Sequence, residues 1–217
     1  MDGYAIVNVL GGLLIVTSLM VVLAKNPKKA AFIYGAQALV LVAILAMLGY
    51  TTGSEELYKW SVTAFLTKVI FVPAIFLIAL NKMKPKTEDM PPLISPVISI
   101  VIIAAEVLLC FLAVEGIELP TALAVKPALA ISLAHFFIGL TCIITQRNIV
   151  KQIFGFCLME NGSHVSLALL APQAPELVEI GVATDAIFAV LIMAIMAARI
   201  YRTVGTLDSN EISELKG

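Results

Sequence analysis

"GFCLMENGSHVSLALL" (155–170) sets a carboxylate, Glu160, and an imidazole, His164, four residues apart between apolar flanks. Residues four apart share one face of a helix. A bilayer core of about 30 Å takes roughly 20 apolar residues per helical span. Backbone groups in lipid must be satisfied within their own segment, so such a run is read as a helix. An ionised side chain at the centre of such a helix costs about 2.5–3.5 kcal/mol on insertion scales. An acid and a base placed there together call for a function or for a partner.

The rest of the chain supports a membrane setting. It has 217 residues, 60% hydrophobic and 13% charged, with a mean hydropathy of +1.02. Soluble domains carry about 25% charged residues. Polar punctuation divides the chain into seven apolar runs, at roughly 4–24, 30–50, 58–80, 93–114, 121–145, 149–171 and 178–201. The expected fold class is all-α, a polytopic bundle of about seven transmembrane helices. Pro73 and Pro127 fall inside the third and fifth runs and predict local kinks.

Loop charges set an orientation. "KNPKK" (25–29), "NKMKPK" (81–86), "QRN" with Lys151, and "RIYR" with the tail are basic. "SEEL" (54–57), "VEGIE" (114–118), "PELVE" (175–179) and the start with Asp2 are acidic. Basic residues favour the cytoplasmic side, which predicts N-out/C-in in a cell's inner, cytoplasmic membrane. Only Lys59, Lys68 and Lys126 depart from that pattern, and Lys126 is near enough to a helix end to snorkel. The start lacks a basic n-region and a cleavage site, so the first run is expected to stay in the mature protein. Residues 1–80 form an N-terminal three-helix segment, 81–92 a polar cytoplasmic linker and 93–117 a fourth helix. A C-terminal three-helix unit covers 118–204, and 205–217 is a tail. "KNPKKAAFIYGA" (25–36) faintly echoes "QRNIVKQIFGFC" (146–157), as a duplicated unit would.

Several chemistries have no motif here. The chain shows no glycine-rich phosphate loop, H-E-x-x-H or nucleophile elbow. Its net charge of −1 gives no basic balance for nucleic acid. Cys110, Cys142 and Cys157 have no metal-ligand spacing and read as small buried hydrophobes.

Six ionisable residues fall well inside the runs: Lys68, Glu106, His135, Glu160, His164 and Asp185. At 1.5 Å rise per residue, Lys68, Glu106, Glu160 and Asp185 lie roughly 18–23 Å from the inner helix ends. His135 lies about 16 Å and His164 about 25 Å from those ends. They gather in a central layer, where acids and bases joined by water can pass protons sideways. The plainer readings are a Lys68–Glu106 ion pair locking two helices, a packed His135 imidazole and a hydrogen-bonding role for Asp185.

The last hundred residues resemble the K subunit of complex I and of related antiporter and hydrogenase assemblies. "QRNIVKQIFGFCLMENGSHVSLAL" (146–169), "VATDAIFAVLIMAIMAARIYR" (182–202) and "GTLDSNEISELKG" (205–217) carry the resemblance. With four helices ahead of that unit, the whole chain resembles the component E family of formate-hydrogenlyase-type hydrogenase 4. The resemblance implies a membrane subunit that is not catalytic alone and belongs to a multi-subunit oxidoreductase coupled to proton or sodium translocation. It implies no cofactor in this chain, with NiFe and Fe–S centres in partner subunits. The implied partners are antiporter-like and small helical membrane subunits, peripheral hydrogenase subunits and the lipid bilayer. The family's two buried glutamates would fall at Cys157 and near Ala189. Here the acids are Glu160 and Asp185, each about one turn toward the outer face, as if the pair had moved together. Leu207, Ile212 and Leu215 among tail charges suggest a segment lying against a partner.

Three readings follow: a subunit relaying protons along the central layer, a structural spacer whose buried charges fix helix register, and a self-contained transporter for a small solute. No inverted repeat or pair of broken helices speaks for the last.

Overall fold

Asn26 and Asn148 each start a helix in the same way. Each side-chain oxygen accepts from the backbone N–H groups two and three residues ahead. This satisfies donors that a first helical turn leaves open. Ser54 and Ser95 cap two more helices, accepting from Leu57 N–H and Ile98 N–H. Pro27 and Pro96 stand in first turns, where the missing N–H costs nothing.

A computed structural model of the chain describes residues 3–83, 90–117, 125–174 and 176–213. The helices are α1 (Gly3–Leu23), α2 (Pro27–Thr52), α3 (Glu55–Met83), α4 (Pro96–Glu115), α5 (Lys126–Thr145), α6 (Ile149–Leu170), α7 (Glu176–Val204) and a short α8 (Ser209–Ser213). Seven of them are long and apolar enough to cross a membrane. The fold is all-α. Among the described residues the only β-type pairing is an isolated bridge between Asn148 and Asp208.

The centre of the bundle is the α5–α6 pair, which glycine brings together. A Cβ at Gly155 would lie 2.8 Å from the Gly139 carbonyl oxygen, and one at Gly162 would lie 2.5 Å from Phe136 N. A Cβ at Gly139 would run into the Met159 backbone. In lipid, small residues let helix backbones approach and gain dispersion contacts. The α1–α2 hairpin covers this pair, with α1 against α5 and α2 against α6. Then α3 leans on α2, α4 flanks α5, and α7 packs on the second half of α3 and on α6. In their most apolar windows α5 and α6 are each 61% buried, but α4 only 22% and α7 28%. The last two are therefore rim helices.

The two prolines behave differently from the expected kinks. Pro127 stands in the first turn of α5, not inside it, so it bends nothing. Residues 121–124, expected in that helix, lie outside the described residues. Ahead of Pro73, α3 widens into a π-helical stretch, Phe65–Phe71, where Val72 N–H donates to Thr67 O. A proline has no N–H for the carbonyl four residues back and its ring crowds that carbonyl, so the preceding turns rearrange.

The tail also differs from expectation. After α7 the chain turns at Gly205, whose φ of 82° is in the left-handed region that favours glycine. It then folds back on the α5–α6 connection. Leu207 is fully buried, its carbonyl accepts from Ile149 N–H, and Ser209 N–H donates to Arg147 O. Arg147 makes a two-pronged ion pair with Asp208, with Nε at 3.1 Å from Oδ1. Leu207 is thus used within this chain and not against a partner. Leu215 lies outside the described residues, as do 84–89 of the linker. Beyond them, Leu93 N–H donates to Thr145 O and Met90 is buried.

Lys151, read as a loop cation, is buried in the first turn of α6. Its Nζ donates to Val22 O at 2.7 Å, and Gln146 Nε2 donates to the same carbonyl. A cation so placed neutralises the partial negative charge at the end of α1. Lys126, the first residue of α5, donates to Glu115 O at the end of α4. The three cysteines are buried and unpaired, as expected.

Candidate functional site

Lys68 stands near the middle of α3, inside the π-helical stretch, with a relative exposure of 1%. Its Nζ donates to Glu160 Oε1, near the middle of α6, at 2.5 Å. The Glu160 side chain keeps 18% exposure, so one end of the pair is reachable from outside the chain. Burying two charges costs several kcal/mol per ion, and close hydrogen-bonded contact repays it. The partner of Lys68 is thus Glu160 and not Glu106.

Beside the pair runs a second chain of polar groups, each buried. Ser18 of α1, His135 of α5, and Gln37 of α2 with Asn161 of α6 follow one another. The Ser18 hydroxyl donates to Leu14 O at 2.6 Å and lies 2.8 Å from His135 Nδ1. A hydroxyl has one proton. With that proton given to Leu14, Ser18 accepts from His135 and Nδ1 carries the imidazole hydrogen. Nε2 then accepts from Gln37 Nε2 at 3.2 Å. Gln37 Oε1 accepts from Asn161 Nδ2 at 3.0 Å, and Asn161 Nδ2 also reaches Tyr34 OH at 3.5 Å. The donors all point one way, from Asn161 to Leu14. Both nitrogens of His135 are satisfied, so it is a packed imidazole and also a link in a continuous polar chain.

The two arms meet on α6, where Glu160 of the ion pair and Asn161 of the polar chain are consecutive residues. The His164 ring lies 5.7 Å from the Trp60 ring, centroid to centroid. His164 Nδ1, Trp60 Nε1 and Asn161 Oδ1 are buried with no hydrogen-bond partner. His164 makes no hydrogen bond to Glu160.

The other two acids stand apart. Glu106, near the middle of α4, accepts from the Thr141 hydroxyl of α5, and its Oε2 is buried without a partner. Asp185 is exposed on α7, next to exposed Thr184, with no hydrogen bond or ion pair to the described residues. Lys68, Glu160, His135 and His164 are brought together, while Glu106 and Asp185 stand on α4 and α7, the two rim helices.

Ser18, Gln37, Tyr34 and Asn161 were not singled out from sequence. A signal existed for Gln37, the one amide within "AAFIYGAQALVLVAILAML" (30–48). A buried amide must find partners or pay for desolvation. Among the described residues, no group of three or more His, Cys, Asp or Glu side chains is placed to hold a metal ion.

Residues 127–217 match the family NADH-ubiquinone/plastoquinone oxidoreductase chain 4L. The chain is 50% identical to hydrogenase-4 component E of Escherichia coli K12 and equally to that of Shigella flexneri, over 100% of each chain. It is 23% identical to an uncharacterized protein of Mycobacterium tuberculosis, over 97% of this chain and 96% of that one. No solved structure matches it. The match covers both chains from end to end, and the chain belongs to the hydrogenase-4 component E family, with a C-terminal part of the chain 4L type.

Proposed function

We propose that this protein is a membrane-arm subunit of a group 4 NiFe hydrogenase or formate-hydrogenlyase-type complex, and that its central layer carries protons, or sodium ions, sideways toward neighbouring subunits. The observation that carries this reading is the Lys68–Glu160 pair. An ion pair is held at mid-helix, with Glu160 partly open to the outside and next in sequence to Asn161 of the buried polar chain. Intramembrane ionisable groups are expensive, and ones that face a bundle interior mark ion paths. Unpartnered polar atoms on His164 and Asn161 can take up water between stations. Glu106 on one rim and Asp185 on the other are the proposed entry and exit toward antiporter-like and small helical subunits. In this reading the NiFe and Fe–S centres belong to peripheral partners, the chain sits N-out/C-in in the cytoplasmic membrane, and residues 118–204 are the unit to which four helices were added.

A structural-spacer role is the second reading, favoured by the fully bonded His135 ring. The same subunit in a cation/proton antiporter or another complex I-like assembly would use the same layer. Isolation in mild detergent tests membership: co-purifying NiFe and Fe–S subunits support the proposal, and a solitary, solute-binding chain overturns it. Lys68→Met in the assembled complex tests conduction. Ion translocation is expected to fall with electron transfer retained, and full translocation favours the spacer.

A further inference from the structure

At one end of the bundle α3 and α7 present two matched stripes. Ile75, Ile78, Ala79 and Lys82 lie on α3 at spacings of three and four. Leu191, Ala194, Ile195, Ala198, Arg199 and Arg202 continue the same rhythm on α7. They line one groove with a volume of about 400 Å³. Alanines give it depth, isoleucines and leucine make it apolar, and the last positions of both stripes are cationic. Lys82, Arg199 and Arg202 are exposed and have no hydrogen-bond or ion-pair partner among the described residues. We infer that this groove is a binding site for an anionic glycerophospholipid, with an acyl chain along the alanines and the headgroup phosphate on Lys82, Arg199 and Arg202.

The charges by themselves have a plainer use, since cations near a helix C-terminus offset its partial negative charge. That use needs neither a common groove nor three cations facing one space. A chain-deep apolar slot that ends in a basic cluster at helix ends has the shape and polarity of a lipid at the membrane boundary. Basic pockets between membrane helices recognise anionic headgroups, and guanidinium groups match phosphate oxygens two at a time. A zwitterionic lipid would bring a cation to the same cluster, and an apolar helix would leave the cluster uncompensated.

The test uses the full-length chain purified from membranes in mild detergent with the subunits that accompany it. Retained phospholipid is extracted and counted by mass spectrometry, after exchange against phosphatidylglycerol, cardiolipin or phosphatidylcholine micelles. Anionic lipid is expected to be retained and phosphatidylcholine not. Affinity should weaken about fivefold for each of Lys82→Gln, Arg199→Gln and Arg202→Gln. Ala198→Leu fills the slot, keeps every charge, and is expected to expel the lipid too. Excess inorganic phosphate should not displace it. Equal retention of phosphatidylcholine, displacement by inorganic phosphate, or a photo-crosslinker at Ile195 that captures a partner polypeptide in place of lipid would each overturn the assignment.

Discussion

Lys68 Nζ and Glu160 Oε1 lie 2.5 Å apart, joining the middle of α3 to the middle of α6. Removing one partner leaves the other buried and unpaired. Lys68→Met is therefore expected to destabilise the chain by about 3–5 kcal/mol, and Lys68→Met with Glu160→Leu by much less. Thermal or denaturant stability of the purified protein in detergent checks this as a double-mutant cycle. Costs that simply add would show that the two groups do not interact.

His135 links α1, α2 and α5 through both ring nitrogens. His135→Phe keeps a planar ring, slightly larger, but leaves the Gln37 amide without its acceptor. A loss of about 1–3 kcal/mol is expected. Gln37→Leu removes the same hydrogen bond from the other side, and with it the acceptor of Asn161 Nδ2, so the two single losses should not add in the double variant. Losses that simply add, measured in the same detergent assay, would contradict the His135–Gln37 hydrogen bond.

Gly155→Ala and Gly162→Ala are expected to destabilise by about 1–3 kcal/mol or more, since the added methyl meets the backbone of α5 and not a movable side chain. Gly12→Ala is the control. It sits on an exposed face of α1 with open space around it, and should be neutral or stabilise by up to about 1 kcal/mol. Similar effects at all three sites would show that α5 and α6 are not in backbone contact.

Span number and helix type were legible because hydropathy and backbone satisfaction act on composition alone. Helix starts were legible to within a few residues, and Asn26 and Asn148 show the caps that set them. Pro127 was misread because an apolar run extends before it, while proline itself prefers a first turn. Pro73 announces a disturbance of its helix, but its form, a π-helical stretch over Phe65–Phe71, is one of several that a proline allows. For the site, the ionisable residues were legible because charge is costly in lipid. Their partners were not. Whether Lys68 meets Glu106 or Glu160 depends on α3 lying nearer to α6 than to α4. Gln37, Ser18 and Asn161 escaped because neutral polar groups cost less and stand out less. Leu207 was read as partner-facing because a single apolar residue in a polar tail looks the same whichever surface it meets.

Passage of ions through the Glu160 carboxylate, as proposed, is open to a direct test. The direct measurement is electron-driven proton or sodium uptake into inside-out vesicles carrying the assembled complex with Glu160→Gln, which keeps the side chain's shape and removes its titratable charge. Translocation is expected to be at least tenfold lower, with the complex intact and electron transfer continuing. Full translocation by an intact Glu160→Gln complex would contradict the proposal.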